Sequence, residues 1–306
     1  MTTSLLFCED RESRLNDLKS KLIESIGGMN VYLWKDKNEI ILTAEDYPKT
    51  INTVLKILSI SENAILYLNG LSAYTAELAI ALEYSDVKNK VIVYDDEDVL
   101  KKFREFFKKY KISQANCINI NEKNVYEPIK REEKGEKAVM SIDKNFVVKG
   151  IGDVAIGFIV NGSIKKGDRL SLLPSRDKIV IKNIQIMDVD VNDARAGEYV
   201  GLALGGTNEM KVKNSYFISS DDVIAKSFEV KTDVCELYGQ DIFNKQFSCA
   251  VFGQNLQAIL TTENGKTKIN FDYFIPEFSS LTLADSSLQP GKNRIVGKVT
   301  TNKNHL

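Results

Sequence analysis

A chain of 306 residues is long enough for two or three domains that each bury a core, and a content of 43% hydrophobic and 27% charged residues is ordinary for a soluble globular protein. No apolar run approaches the roughly 20 residues of a membrane span, and the N-terminus turns acidic after a short apolar run, which excludes a signal-peptide core and predicts a cytoplasmic protein without membrane contact. The net charge of −1 gives no global basic field, so nucleic-acid binding would depend on local patches.

Residues 1–119 alternate helical and strand patterns, which predicts an α/β domain. A first strand at 5–8 is followed by an amphipathic helix over 13–26, which ends at Gly27 and Gly28. The later elements are a strand pair at 31–34 and 39–43 turned by 35–38, helices at 49–59, 75–84 and 98–110, and strands at 64–68 and 90–94.

The segment 120–138 has a different composition from the rest of the chain. It holds many charges of both signs and few branched aliphatic residues, which indicates a linker. Beyond it, short alternating runs are separated by turns such as Asn161-Gly162 and Lys166-Gly167-Asp168. This pattern predicts two β-barrels, at 139–222 and at 226–306.

The reactive residue types are sparse. The four cysteines lie in apolar or strand-like contexts without CxxC spacing, which favours buried reduced thiols over a metal site or disulfides: Cys8, Cys117, Cys235 and Cys249. The single histidine, His305, lies one residue from the C-terminus. A single histidine at this position excludes Ser/His/Asp or Cys/His catalysis within one chain, and it excludes any metal site that needs several histidines.

The run Gly150-Ile151-Gly152-Asp153-Val154-Ala155 matches the dinucleotide fingerprint G-x-G-x-x-A. That fingerprint requires a helix directly after the glycines, so that the helix N-terminus faces the pyrophosphate. The residues that follow are β-branched and alternating, which indicates a tight β connection instead of a nucleotide site.

A longer pattern covers residues 146–206: F-x-x-K-G-x-G-x-V-x-x-G, then G-x-I-K-x-G-D, I-Q and A-x-A-G-x-x-V-G-L-A-L. It resembles the second domain of the translational GTPases, in particular elongation factor Tu and the SelB-type selenocysteine factors. The positions that carry the resemblance are Phe146, Gly150, Gly152, Val154, Gly157, Gly162, Lys165, Gly167, Asp168, Ile184, Gln185, Ala194, Ala196, Gly197, Val200 and Gly201. The resemblance implies a shortened GTPase-like α/β domain followed by two β-barrels.

The N-terminal domain resembles the family's GTPase domain in order, through residues 61–68, 75–78 and 86–93, but lacks its nucleotide motifs. A phosphate-binding loop needs glycines, a Lys and a Ser/Thr. Here the loop at 8–16 is acidic, and the first glycine of the chain is Gly27. No cation cluster offsets those carboxylates against a triphosphate.

The two other nucleotide motifs are also replaced. The Mg²⁺-binding D-x-x-G corresponds to 44–47, Ala-Glu-Asp-Tyr, and the guanine-reading N-K-x-D to 95–98, Asp-Asp-Glu-Asp. The acids at 95–98 lack the spacing of a calcium loop and are favoured at a helix N-terminus, so we interpret them as a helix cap. We therefore expect no GTPase activity, no bound GTP, no metal and no other cofactor.

In the family, the aminoacyl end of tRNA lies between the GTPase domain and the rim of the first barrel. The resemblance places Asp143, Phe146 and Tyr199 at this rim, although Phe158 stands where an Arg is common, Lys144 where an acid is common and Tyr199 where Asn or Asp is common. The basic residues Lys165, Lys166 and Arg169 are the candidate RNA contacts.

The leading hypothesis is a non-enzymatic, translation-linked protein that binds tRNA, the ribosome or another translation factor without hydrolysing GTP. One alternative is a pseudo-GTPase scaffold or regulator that binds proteins outside translation. A third is an enzyme with a relocated nucleotide site. Steep salt dependence of binding would favour the first hypothesis, whereas sensitivity to apolar rim residues would favour the second.

Overall fold

The N-terminal domain is a seven-stranded sheet with helices on it. The computed structural model describes residues 2–6, 15, 19–34, 39–121, 137–220 and 224–301. The sheet order is β2-β3-β4-β1-β5-β6-β7, parallel from β4 through β1, β5 and β6 to β7 and antiparallel at β2-β3-β4. Its strands are β1 Thr2–Leu6, β2 Ser20–Ile26, β3 Met29–Trp34, β4 Glu39–Ala44, β5 Asn63–Leu68, β6 Asn89–Tyr94 and β7 Asn116–Asn119, and its helices are α1 Asn52–Ile60, α2 Ala73–Glu83 and α3 Glu97–Phe106, with a 3-10 turn at Lys111–Gln114.

The helix predicted over 13–26 is wrong for its second half. Residues 20–26 form β2, which pairs with β3 so that Ile26 lies opposite Met29. Gly27 and Gly28 have φ of 52° and 82°, the left-handed backbone that a two-residue hairpin turn requires. These glycines form the turn of this hairpin and not the end of a helix. The predicted turn at 35–38 and residues 8–14 of the acidic loop lie outside the described residues.

The first barrel closes around six strands, β11-β16-β8-β9-β15-β12, through pairing of β11 with β12, and β13 extends it at the edge. Gly150 and Gly152 lie in the β8–β9 turn with φ of 85° and 99°, and a strand follows them, which confirms that the G-x-G-x-x-A match is a β connection. The elements of the first barrel are β8 Val139–Val148, β9 Gly152–Asn161, β10 Ser163–Lys165, β11 Arg169–Leu173, β12 Asp177–Ile186, β13 Val189–Val191, β14 Asp193–Arg195, β15 Tyr199–Gly205, α4 Glu209–Lys213 and β16 Phe217–Ser219.

The second barrel is closed in the order β17-β20-β19-β18-β21-β22. Its strands are β17 Ile224–Val234, β18 Gln246–Val251, β19 Gln254–Glu263, β20 Lys266–Pro276, β21 Ser280–Ala284 and β22 Ile295–Thr301. An α/β domain followed by two β-barrels confirms the predicted fold class. Residues 122–136 of the predicted linker and His305 lie outside the described residues.

One hydrophobic core runs through all three domains. It includes Leu66 in the α/β sheet, Phe158 and Phe217 in the first barrel and Phe247 in the second, all buried. Helix α1 is buried on nearly all sides, which is the pattern of a helix enclosed by other elements, and it contacts both the sheet and β18 of the second barrel. A second core of aliphatic residues fills the first barrel.

No helix in the described part of the chain is long and apolar enough to cross a membrane. Within the same residues, no group of three potential metal-ligand side chains comes together.

Candidate functional site

The predicted acceptor-end rim lies where the α/β domain meets the first barrel. Asp143 on β8 is covered by this contact, with 1% of its side chain exposed, and its Oδ1 accepts a hydrogen bond of 2.8 Å from Lys56 Nζ of α1. Tyr199 on β15 is buried against Phe158, with ring centroids 4.6 Å apart. Phe146 is 39% exposed. The structure thus leaves Phe146 open to solvent and closes the other two positions beneath the α/β domain.

Two polar atoms in this contact have no hydrogen-bond partner among the described residues, Asp143 Oδ2 and the Tyr199 hydroxyl. Burial, and secondarily the negative charges of Asp143 and Glu24, raise the pKa of the Tyr199 phenol, so it remains a neutral donor. Burial also raises the pKa of the Asp143 carboxyl, against the opposing charge of Lys56. The pair therefore offers one donor and one acceptor in a buried contact beside the Lys56 ammonium.

Further contacts hold the α/β domain on the first barrel. Lys144 on β8 forms an ion pair with Glu24 on β2, and Thr2 Oγ1 donates to the Gly197 carbonyl at 3.1 Å. Strand β2, which sequence periodicity did not predict, therefore supplies part of this contact. Lys144 stands where the resemblance leads one to expect an acid, and it uses its charge within the protein.

A second fixed contact joins the α/β domain to the second barrel. Arg294 and Glu77 of α2 are each 2% exposed and form a bidentate ion pair, with Nη2 2.6 Å from Oε2 and Nε 2.9 Å from Oε1. The Arg294 backbone N–H also donates to Glu77 Oε1 at 2.9 Å. The Tyr47 hydroxyl donates to Tyr74 O at 2.7 Å and contacts Glu77 Oε2 at 3.1 Å. We call Tyr47, Glu77 and Arg294 the buried lock.

The residues that correspond to nucleotide motifs in the resemblance have structural partners here. Tyr47, in the D-x-x-G position, is part of the buried lock, and Asp46 accepts a hydrogen bond of 2.8 Å from Thr53. Asp96 caps α3 by accepting from Asp98 N at 2.7 Å, and Asp98 pairs with Lys101 at 3.0 Å. The interpretation of the acidic run as a helix cap is confirmed.

A cleft of about 270 Å³ lies where the three domains meet. The α/β domain contributes Ser61, Glu62, Asp86 and Lys88, which precede β5 and β6. Ligand sites of open α/β sheets lie at the opposite edge, beyond the carboxyl ends of the strands. Among the described residues that line the cleft, acidic side chains outnumber basic ones, which disfavours a phosphate ligand. The cleft therefore does not support a relocated nucleotide site.

The three predicted RNA contacts lie together on the outside of the first barrel. Lys165 ends β10, Lys166 lies in the turn and Arg169 begins β11, and all three are exposed. Gly167, with φ of 93°, makes this turn tight, and Lys166 Nζ donates to Asn183 Oδ1 at 3.3 Å. None of the three cations has an ion pair among the described residues. We call these three cations the basic turn.

Residues 152–215 match the family model of elongation factor Tu domain 2. An uncharacterised protein of Methanocaldococcus jannaschii is 27% identical over 210 residues, which cover 66% of this chain and 68% of that protein. The selenocysteine-specific elongation factor of the same organism is 26% identical over 235 residues, covering 67% of this chain and 50% of that factor.

Solved structures share the fold over nearly the whole chain. Translation elongation factor SelB from Methanococcus maripaludis, in its apo form, superposes with a TM-score of 0.75 at 16% identity, covering 99% of this chain and 79% of that one. The same factor in complex with the GTP analogue GppNHp gives a TM-score of 0.76 at 17% identity, with the same coverage. At this level of identity the similarity establishes the fold.

Proposed function

Because this chain is a translational-GTPase-like protein with a SelB-like pair of β-barrels, we propose that it is a non-hydrolysing relative of these factors. It engages tRNA or the ribosome, or another translation factor, without GTP, and it acts in the cytoplasm. The observation that carries this proposal is the buried lock, in which Tyr47 at the D-x-x-G position contacts Glu77, and Glu77 pairs with Arg294 of the second barrel.

The lock argues against a nucleotide-driven movement of the α/β domain. Opening it would break the bidentate ion pair and the Arg294 N–H hydrogen bond to the same carboxylate, and it would expose the apolar surface around them to water. The Lys56–Asp143 pair adds a similar constraint toward the first barrel. The sequence provides no glycine before Gly27 to cradle phosphates that could offset these costs. The three domains therefore act as one preformed binding body.

The basic turn is the surface that best suits RNA in this proposal. Its cations are exposed and lie outside the domain contacts, so they are available to phosphates. The closed rim at Asp143 and Tyr199 favours binding of the RNA backbone over capture of an aminoacyl end. A protein scaffold outside translation is the second candidate, which the exposed Val147 and Ile151 near the β8–β9 turn favour.

We expect the triple variant Lys165→Glu, Lys166→Glu, Arg169→Glu to bind tRNA at least about tenfold more weakly than the parent, because phosphate contacts and counterion release are lost together. Binding of labelled tRNA at low and at physiological salt measures both the affinity and its salt slope. Parent binding that is absent, or that responds to neither salt nor the variant, would move the conclusion to the scaffold. Truncation of Val147 and Ile151 to Ala should then reduce partner binding instead.

We expect neither GTP nor GDP to bind with a Kd below about 100 µM, equivalent to about −5.5 kcal/mol. The reason is the joint absence of the glycine cradle, the lysine and the guanine-reading Asn-Lys pair from the sequence. A titration of fluorescent GTP in the presence of Mg²⁺ tests this. Saturation of the fluorescent-GTP signal with a Kd below about 100 µM would contradict the proposal that the protein acts without GTP.

A further inference from the structure

The second barrel contains a strand irregularity that turns two aromatic side chains outward. Ala225 on β17 pairs with Ile275 of β20 and Ser227 pairs with Asn270, so Lys226 alone lies opposite residues 271–274. The extra residues on one strand form a bulge, and bulges redirect side chains near functional sites. As a result Tyr273 and Phe274 are 45% and 42% exposed.

Two cations lie over the exposed Phe274 ring. Lys226 Nζ is 5.2 Å and Arg176 Cζ 5.8 Å from its centroid, close enough for cation–π attraction. Arg176 follows β11 of the first barrel, so the two cations come from different barrels. Neither forms an ion pair with a carboxylate in the ranges that the structure describes, and the neighbouring Asp272 pairs with neither. Both positive charges thus remain available to an anion.

The turn between β11 and β12 fixes the backbone of Arg176, whose N–H donates to the Leu172 carbonyl at 2.7 Å. The Arg176 φ of 63° is a left-handed conformation that is uncommon for a residue with a long side chain and is retained where its surroundings hold it. On the other side, the Tyr273 ring rests on Tyr216 of the first barrel, with centroids 5.5 Å apart. Both barrels therefore position the seam patch, which we define as Arg176, Lys226, Tyr273 and Phe274.

We propose that the seam patch binds a single-stranded RNA segment. Exposed aromatic rings stack on bases of any sequence, and flanking cations pair with the phosphates, the combination by which proteins hold single strands. An acidic peptide would use the cations and leave the rings without a role. The inference deepens the proposed function and rests on it, because it adds a second RNA contact. The basic turn lies at the start of β11, where Arg169 begins the strand, and the seam patch lies beyond its other end, where Arg176 follows it.

The test is fluorescence anisotropy of the full chain with a labelled oligouridine at low salt. We expect Phe274→Ala and Lys226→Glu each to weaken binding about tenfold, as loss of a stacked base or a phosphate contact does. Two matched variants serve as controls, Phe243→Ala, an exposed phenylalanine of the same barrel, and Lys231→Glu, an exposed lysine of the same strand. Both should bind like the parent. Ultraviolet cross-linking should attach uridine to the peptide that contains Tyr273.

Equal affinity of the seam variants and their controls would overturn the inference, as would cross-links confined to other peptides. Competition by a polyglutamate peptide as effective as unlabelled oligouridine would assign the patch to an acidic protein segment and likewise overturn it. tRNA binding that depends on the basic turn but not on the seam patch would refute this inference and leave the proposed function intact. Failure of the chain to bind either RNA would refute this inference together with the RNA-binding form of the proposed function, and would favour the protein scaffold.

Discussion

Replacing Arg294 with Met is expected to lower the free energy of unfolding by about 3–5 kcal/mol, because the variant leaves the Glu77 carboxylate buried without its counter-charge. Urea unfolding followed by the emission of Trp34, the single tryptophan of the chain, measures the loss in the α/β domain. The effect should reach that domain although Arg294 belongs to the second barrel, since the pair joins the two.

The double variant Glu77→Met, Arg294→Met separates the charge effect from packing. Apolar residues of similar length in place of a whole buried ion pair are close to neutral for stability, so the double variant should recover most of the loss. Tyr47 keeps its hydrogen bond to Tyr74 O in that variant. A double variant as unstable as the single one would show that the pair acts through packing and not through its charges.

Replacing Lys56 with Met is expected to cost a similar 3–5 kcal/mol near neutral pH, because Asp143 would then carry an unpaired, buried charge. The loss should depend on pH. Burial already raises the pKa of Asp143 above its ordinary 3.8, and Lys56 opposes that rise, so the variant raises this pKa further. A raised folded-state pKa contributes stability at low pH that is lost as pH rises through it. The deficit should therefore grow from about pH 4 toward neutrality.

The control for Lys56 is the double variant Lys56→Met, Asp143→Asn, which removes both charges at the contact. Its stability should be nearly independent of pH over the same range and should exceed that of the single variant at neutral pH. Unfolding midpoints at several pH values provide the comparison. A deficit of the single variant that shrinks with rising pH would contradict the assigned role of Asp143.

The sequence predicts the architecture well where local pattern determines it. Alternating runs and turn glycines identify the barrels, and alternating helices and strands identify the α/β domain. The exceptions are β7, where the sequence pattern predicts no strand, and β2, where apolar residues at helical spacing are also compatible with a strand. The Gly27-Gly28 pair decides between helix and strand, since positive φ at two successive residues closes a hairpin, and a sequence alone allows the same glycines to end a helix.

The site was predictable only in part because its main contacts join distant positions. The basic turn lies in one short segment, and its exposure follows from the turn itself. Arg294 and Glu77 are 217 residues apart, and no periodicity links them. Glu77, which lies between apolar residues in the middle of α2, was the one available signal of a buried charge. Likewise, Asp143 is buried by its contact with α1, a helix of the α/β domain. The sequence around Asp143 therefore gives no sign that this carboxylate is buried.

The shared core makes the solubility of the barrels depend on the α/β domain. Phe158 and Phe217 of the first barrel and Phe247 of the second belong to the same buried cluster as Ile57 and Leu58 of α1. A shortened descendant without the α/β domain would expose apolar barrel surface to water and tend to aggregate. Substitutions confined to surface loops of the α/β domain would leave this core in place, whereas loss of the whole domain would cost the barrels their solubility.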